Sequence, residues 1–348
     1  MVEPVRLEYI WLDALQQFRS KTKIHRFSTA FTLTDIPSWN YDGSSTGQAR
    51  THDSEVSLVP KYYCPDPRFD HNAYLVLCTT HVLDGAGVLR PHATNTRSCT
   101  ERTFKLVGGA QDSMFGLEQE FFIMDAQTGL PLGFNAEGEN KRQGQYYCGV
   151  GAGNAFGRQF VDEVVQLAIG AGLPVTGSNF EVAPGQAEIQ ICGMGIEAAD
   201  QLNILRFLLV VTGERPAYGY TINFDPKPLK GDWNGSGCHI NISTKEMREG
   251  VDGCIMRAVR ALQATHEEAM GIYGEGNNER LTGTHETSSM DKFTWGVADR
   301  SASVRVPREV MAQGKGYIED RRPAGNVDPY LALGLIVGSL SRHGRDRA

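Results

Sequence analysis

Along the first third of the chain, apolar residues fall in short blocks that read as strands, over 6–12 and over 73–82 (AYLVLCTTHV). Between them the stretch 36–53, IPSWNYDGSSTGQARTHD, is polar and rich in turn formers, and reads as a surface loop. A helix is expected over 94–107, capped by Thr94 or Thr96 and ended by Gly108-Gly109, where the pattern places a boundary. Beyond it strands alternate with helices. Residues 115–124 (FGLEQEFFIM) form a strand that is apolar at both ends with acids in its middle. Phe156, Phe160, Val164 and Leu167 recur at helical spacing over 155–168, and Leu202, Leu205, Leu209 and Thr212 do so over 196–212. A third amphipathic helix is expected over 255–273, and a fourth opens at Asp328-Pro329, an Asp cap followed by Pro at the first helical position.

The acids in these strands are out of place. Glu118 and Glu120 are two apart, so they share one face of a strand that otherwise reads as buried on both sides. Glu181 and Glu188 flank VAPGQA. If Pro184-Gly185 is the tip of a hairpin, Glu181 faces Glu188 directly, although Pro-Gly suits a type II turn better than the usual hairpin turns. Like charges so placed repel, which points to a cation between them. His239 follows a glycine-rich entry, GSGCHINIS, and Glu319 shares a predicted strand face with Arg321 in GYIEDRR. Five carboxylates and one imidazole favour Mg²⁺ or Mn²⁺ over zinc, and exceed what one small ion needs. Two neighbouring ions are the natural inference, as in sites that clamp phosphates. Arg280, Arg300, Arg305, Arg321 and Arg322 crowd the last quarter, along with Glu286, and forked guanidinium groups suit phosphate and carboxylate. No GxxxxGK[ST] loop is present, so any nucleotide is held through metal and arginine.

Composition narrows the class without changing this reading. A net charge of −7 argues against a basic nucleic-acid surface. No apolar run approaches the roughly 18 residues of a membrane helix, and the start MVEPVRLEYIW lacks the features of a signal peptide. Seven scattered cysteines without a CxxC pair read as free thiols in a reducing, cytoplasmic setting. From the residues alone the chain is a two-metal, anion-handling enzyme.

In chain order the motifs EYIWLD, WNYDGSSTGQ, FGLEQE, YYCGVG, AEIQI, FDPKP, WNGSGCHINIS, RLTGTHETS, ADRSASVRVPR and KGYIEDRRP resemble those of glutamine synthetases of the eukaryotic (type II) branch, from Arg6 to the last helix. The resemblance implies an α+β fold: a small N-terminal β-grasp domain over 1–90, and over 91–348 a larger catalytic domain with a curved antiparallel sheet flanked by helices. It implies ATP-dependent ligation of ammonia to the γ-carboxylate of L-glutamate through γ-glutamyl phosphate. One metal would be held by Glu120, Glu181 and Glu188, the other by Glu118, His239 and Glu319. Asn234, Gly235, Arg280, Arg300 and Arg321 would bind substrate and the transferred phosphate. Asn241, Ser243, Arg305 and Tyr317 would contact the nucleotide. Asp42 and Glu286 would form the ammonium pocket and, with Arg300, carry the catalysis. The resemblance further implies a homo-oligomer, a decamer of two stacked pentameric rings, in which Asp42 serves an adjacent subunit.

The chain departs from the family at three of these places. Met114 stands where many relatives have an aromatic residue near the adenine, Asp232 replaces a common Asn beside the glutamate loop, and Glu55 stands where some relatives have Asp. The alternatives are a related ligase that joins glutamate to an organic amine and a non-catalytic relative. An intact Asp42 and Glu286 speak against the first, and the complete ligand set against the second.

Overall fold

A computed structural model describes residues 3–137 and 140–343. The chain divides into two compact units, one holding the chain up to Arg102 together with Leu167–Leu173, the other Thr103–Gln166 and the chain from Pro174 onward.

The first unit is built on a sheet of β1 (Val5–Leu12), β2 (Phe18–His25), β3 (Trp39–Asp42), β4 (Glu55–Pro65), β5 (Ala73–Leu83) and β6 (Leu89–Pro91). The order is β2-β1-β5-β4-β3, with β6 on β5; β1 and β5 run parallel, and every other pairing is antiparallel. Alternation along β1 turns Val5, Leu7, Tyr9 and Trp11 into a core that also takes Leu58, Val76 and Cys78. The expected loop over 36–53 is therefore only partly a loop. Trp39 and Tyr41 pack against this core from β3, while Asn40 and Asp42 face solvent. Alternating polar positions disguised a half-buried strand as a turn-rich segment.

Helix α1 (Thr96–Leu106) is capped by Asn95, whose side-chain oxygen accepts from Ser98 N at 3.1 Å, in place of the expected Thr94 or Thr96. The second unit carries β7 (Met114–Asp125), β8 (Val175–Phe180), β9 (Gln186–Met194), β10 (Tyr220–Asn223), β11 (Cys238–Ser243), β12 (Trp295–Val297), β13 (Val304–Val306) and β14 (Ile318–Asp320). They form one sheet in the order β12-β13-β14-β11-β7-β9-β8, with β10 also on β7; only β12 and β13 pair in parallel. Its helices are the first part of α2 (Arg158–Gly170), whose end from Leu167 on belongs to the first unit, and α3 (Glu197–Gly213), α4 (Lys245–Glu249), α5 (Cys254–Ala264), α6 (His266–Met270), α7 (Arg308–Gln313) and α8 (Pro329–His343). The N-terminal sheet and the larger sheet flanked by helices agree with the expected α+β class.

Helix α3 forms where helical spacing places it, but it is buried nearly all round rather than on one face, and packs on β7, β9 and β10. Helix α8 starts at the expected cap, with Asp328 Oδ1 accepting from Tyr330 N (2.8 Å) and Leu331 N (3.2 Å). The single helix expected over 255–273 is instead α5 and α6. They break at Thr265, whose backbone leaves helical geometry (φ −113°, ψ 23°) and whose hydroxyl meets Ala261 O at 3.3 Å and Ser339 Oγ at 2.9 Å.

Candidate active site

Strand pairing assembles the acids. In the registers of β7 with its neighbours, Glu118 lies opposite His239 on one side and Gln190 on the other, and Glu120 lies opposite Glu188. Glu319 lies opposite both Asn241 and Arg305. Because side chains alternate, Glu118, Glu120, Glu188, His239, Asn241, Glu319 and Arg305 all rise from one face of the sheet.

Glu181 arrives by a route the sequence did not predict. Glu188 pairs with Asn179, not Glu181, and Glu181 N bonds Gln186 O at 2.9 Å. Pro184-Gly185 does form the tip. Gly185 adopts φ 68° and Gln186 N reaches Ala183 O at 3.2 Å, the geometry of a type II turn. That turn does not match the twist of the flanking strands, so Val182 and Ala183 are left over and the register slips by two residues. Since the shift is even, Glu181 keeps its face, and Asn179 Nδ2 holds its Oε1 at 2.8 Å.

Two groups of ligand atoms result, Glu120, Glu181 and Glu188 in one and Glu118, Glu188 and His239 in the other, each group's atoms lying within 4.8 Å of one another. The first is the expected trio. In the second, Glu188 takes the place expected of Glu319. The Glu319 carboxylate lies 3.7 Å from His239 Nδ1 but is engaged by Arg321 Nη1 at 2.5 Å and Arg305 Nη1 at 3.0 Å. His239 Nδ1 points into the acids, 3.2 Å from Glu118 and 4.0 Å from Glu120, while Nε2 meets Arg280 Nη2 at 3.0 Å. An added Cβ at Gly237 would sit 2.5 Å from that Arg280 nitrogen and 2.9 Å from His239 Nε2, so a larger residue there would displace the Arg280–His239 contact.

The electrostatics ask for cations. Burial, and after it the charges of Glu120 and Glu118, push the Glu188 carboxyl up to about 8. Burial lifts Glu120 to about 7 even though Arg280 and the Gly237 amide oppose it. Glu181 is driven well above the usual range by burial and by Glu120 and Glu188. Burial and the Arg321 charge hold His239 well below its ordinary value, so it is neutral, as a metal ligand must be. Carboxylates that resist ionising together beside a neutral imidazole form a donor set suited to hard divalent ions.

Cationic and loop residues border this floor. Arg280 is buried, and burial lowers it to about 10; its Nη2 also donates to Arg321 O at 3.1 Å. Arg321 donates to Arg300 O at 3.1 Å and Glu286 O at 3.4 Å, and Arg300 Nη2 pairs with the Glu286 carboxylate at 2.9 Å. His285 and Glu286 both adopt positive φ, 54° and 62°. Asn234 Oδ1 is buried with no partner, and a Cβ on Gly235 would lie 2.0 Å from Pro226 O. Asn241 Nδ2 donates to Glu118 at 2.7 Å, and Ser243 Oγ donates to Gly316 O at 2.6 Å. Met114 pairs with Ser243 across the β7–β11 ladder, and Tyr317 is exposed.

Several polar residues of this face escape a reading based on charge. Gln186 bridges Glu120 (3.4 Å) and Gly235 O (3.2 Å), and Gln190 holds Glu188 at 2.5 Å. Both alternate with apolar residues in QAEIQI (186–191), and that strand period was the available signal. The Tyr147 ring lies 5.8 Å from the Arg300 guanidinium. His285 bonds Gln143 at 2.8 Å and lies 3.3 Å from Asp232.

Asp42 belongs to the first unit. It is exposed, caps a short turn by accepting from Ser44 N (2.9 Å) and Ser44 Oγ (2.6 Å), and these bonds hold its carboxyl below the usual range. Glu55 lies directly opposite it in the β3–β4 ladder, so two carboxylates again face one another.

Residues 94–252 match the catalytic domain of glutamine synthetase. The chain is 43% identical to the cytosolic isozyme of glutamine synthetase from Pinus sylvestris, over 97% of this chain and 94% of that protein. It is 45% identical to the glutamine synthetase of Emericella nidulans, over 97% and 92% of the two chains. With the chloroplastic glutamine synthetase of Daucus carota it shares 44% identity over 95% of this chain and 76% of that one. Among the described residues, no helix is long and apolar enough to cross a membrane.

Proposed function

The chain belongs to the glutamine synthetase family, and on that premise we propose how its residues share the work of joining ammonia to the γ-carboxylate of L-glutamate with ATP. The observation that carries the proposal is the pair of buried acid groups that meet at Glu188 beneath a rim of arginines. Glu120, Glu181 and Glu188 would hold one Mg²⁺ or Mn²⁺. Glu118 and His239 would hold a second, joined by Glu319 once its arginine partners turn to substrate. When bound, such ions supply charge neutralisation for the phosphates.

A carboxylate is a poor acyl donor because its leaving group would be oxide. Transfer of the γ-phosphoryl group to glutamate makes γ-glutamyl phosphate, from which phosphate can leave. Arg280, Arg321, Asn234 and Gly235 orient glutamate, and Arg300 meets charge that develops on the moving phosphoryl group. Arg305, Asn241, Ser243 and Tyr317 hold the nucleotide. Met114 packs the base through its sulfur. Before substrate binds, Glu286 neutralises Arg300; on closure it would turn to ammonium and exclude water that would hydrolyse the acyl phosphate.

Asp42 attracts ammonium as a carboxylate held firmly ionised, and Glu55 opposite it doubles the negative charge. Asp42 would then accept a proton from the bound ammonium, which frees the nucleophilic lone pair. We place Asp42 in the site of an adjacent subunit of a ring-shaped homo-oligomer, two stacked pentamers, and the chain in the cytosol, where its seven free cysteines stay reduced.

Phosphate release from ATP, followed with glutamate, Mg²⁺ and a titration of ammonium, tests the proposal. Release that rises with ammonium and is matched by glutamine supports it. Release driven by organic amines but not ammonium would point to the related ligase, and none at all to a non-catalytic relative.

A further inference from the structure

Beneath the acids, on the opposite face of β7, lies a second polar construction that none of the roles above uses. Gln119 sits between Glu118 and Glu120 and points away from them, fully buried. Its Nε2 donates to Glu120 O at 2.7 Å and Gly325 O at 2.9 Å. Its Oε1 accepts from Arg206 Nε at 2.7 Å. Arg206 is the cation of the run Ile204–Leu209 in α3 and is only 7% exposed. Its Nη1 donates to Val327 O and its Nη2 to Gly325 O, both at 2.9 Å. Every one of these acceptors is a neutral oxygen. The nearby Cys238 thiol and the Asp328 charge also support the cation, yet a buried guanidinium costs more than an apolar side chain of the same shape. Its fork supplies direction: three donors in one plane lock helix α3, strand β7 and the segment 325–327 together.

The same lock continues to the acids. Gly325 N donates to Ser236 O at 2.9 Å, and the next amide, Gly237 N, donates to the Glu120 carboxylate at 2.7 Å. A Cβ on Gly325 would lie 2.7 Å from Phe224 O and 3.2 Å from Glu120 O, so the segment packs backbone to backbone against β7. We propose that Arg206 and Gln119 form a positioning clasp that sets the pitch of β7, and so aims Glu118 and Glu120 at the divalent ions. The clasp touches neither substrate nor metal, and its purpose rests on the metal reading of those two glutamates.

Arg206→Lys keeps the charge but loses the fork. Gln119→Glu keeps the bond to Arg206 but loses both donors to backbone oxygens. Mn²⁺ binding to the full-length enzyme, stripped of metal and followed by electron paramagnetic resonance, should weaken about tenfold or more in each. The Mg²⁺ concentration for half-maximal activity should rise in step, while KM for glutamate at saturating Mg²⁺ stays near the wild-type value. A purely structural role would lower the melting temperature and leave Mn²⁺ affinity within about twofold of wild type, which would overturn the clasp. Failure of both variants to fold would also overturn it, because the pair would then serve the fold as a whole. A wild-type enzyme that binds no Mn²⁺ would remove the metal reading itself, and the clasp with it.

Discussion

Burial pushes the Glu120 carboxyl up to about 7 and the Glu188 carboxyl up to about 8, against about 4.3 for a glutamate in an unfolded chain. Between those values the folded protein holds protons that the unfolded chain has released, so these carboxyls make stability fall as pH rises through the window. Glu181, raised for the same reason, adds to the slope. Metal-stripped protein should melt at lower temperature near pH ~8.5 than near pH ~6, and saturating Mg²⁺ or Mn²⁺ should narrow the gap. Calorimetry across that range checks this; a stripped protein whose melting rises with pH would show that the acids are not crowded. Asp42 is the opposite case, held low by Ser44 and charged throughout. Asp42→Asn removes the charge that draws ammonium but not the shape of the turn, and should raise the ammonium concentration for half-maximal rate about tenfold or more with nucleotide binding intact. Steady-state titration of ammonium decides it.

At the scale of elements, the β8–β9 hairpin shows how backbone geometry places the Glu181 carboxylate. Gly185→Ala would put a Cβ 2.7 Å from Leu132 N at a positive φ of 68°. The variant should lose roughly 1–3 kcal/mol in urea unfolding. Because the turn sets the register, Glu181 should move with it, and Mn²⁺ affinity should fall along with stability; an affinity that stays constant would detach Glu181 from the turn. The hairpin also marks the limit of what a sequence discloses. Two acids seven residues apart around Pro-Gly announced a cation site, but the register did not follow, because the type II turn consumes two extra residues. Helices α3 and α8 were legible, since long apolar periodicity and an Asp-Pro start depend on local residues alone. The break at Thr265 was not, because apolar spacing runs through it and the hydroxyl's partner, Ser339, lies far along the chain. Nor could periodicity say that β7 lies between β9 and β11. That adjacency gathers the buried acids and His239, and only the resemblance to a family anticipated it. Arg206 and its partner Gln119 were not read from the sequence, because their pairing across α3 and β7 exists only in the fold.

For the molecule as a whole, the proposed ring makes a prediction that no single subunit can satisfy. If Asp42 completes a neighbour's site, each site draws Asp42 from one chain and Glu286 from another. An Asp42→Ala enzyme and a Glu286→Ala enzyme should each be nearly inactive. When the two chains are unfolded together and reassembled at equal amounts, a site is intact wherever its Asp42 donor and its Glu286 donor both happen to be unmutated. Random assembly makes that about one site in four, so about a quarter of wild-type activity should return. If both residues served the same chain, every subunit would still carry one defect and nothing would return. The Asp42 charge and the Arg300–Glu286 pair are both exposed in the chain taken alone, as groups completed by a partner must be. Recovered rate, measured against the fraction of mixed oligomers counted by native mass spectrometry, separates the two arrangements.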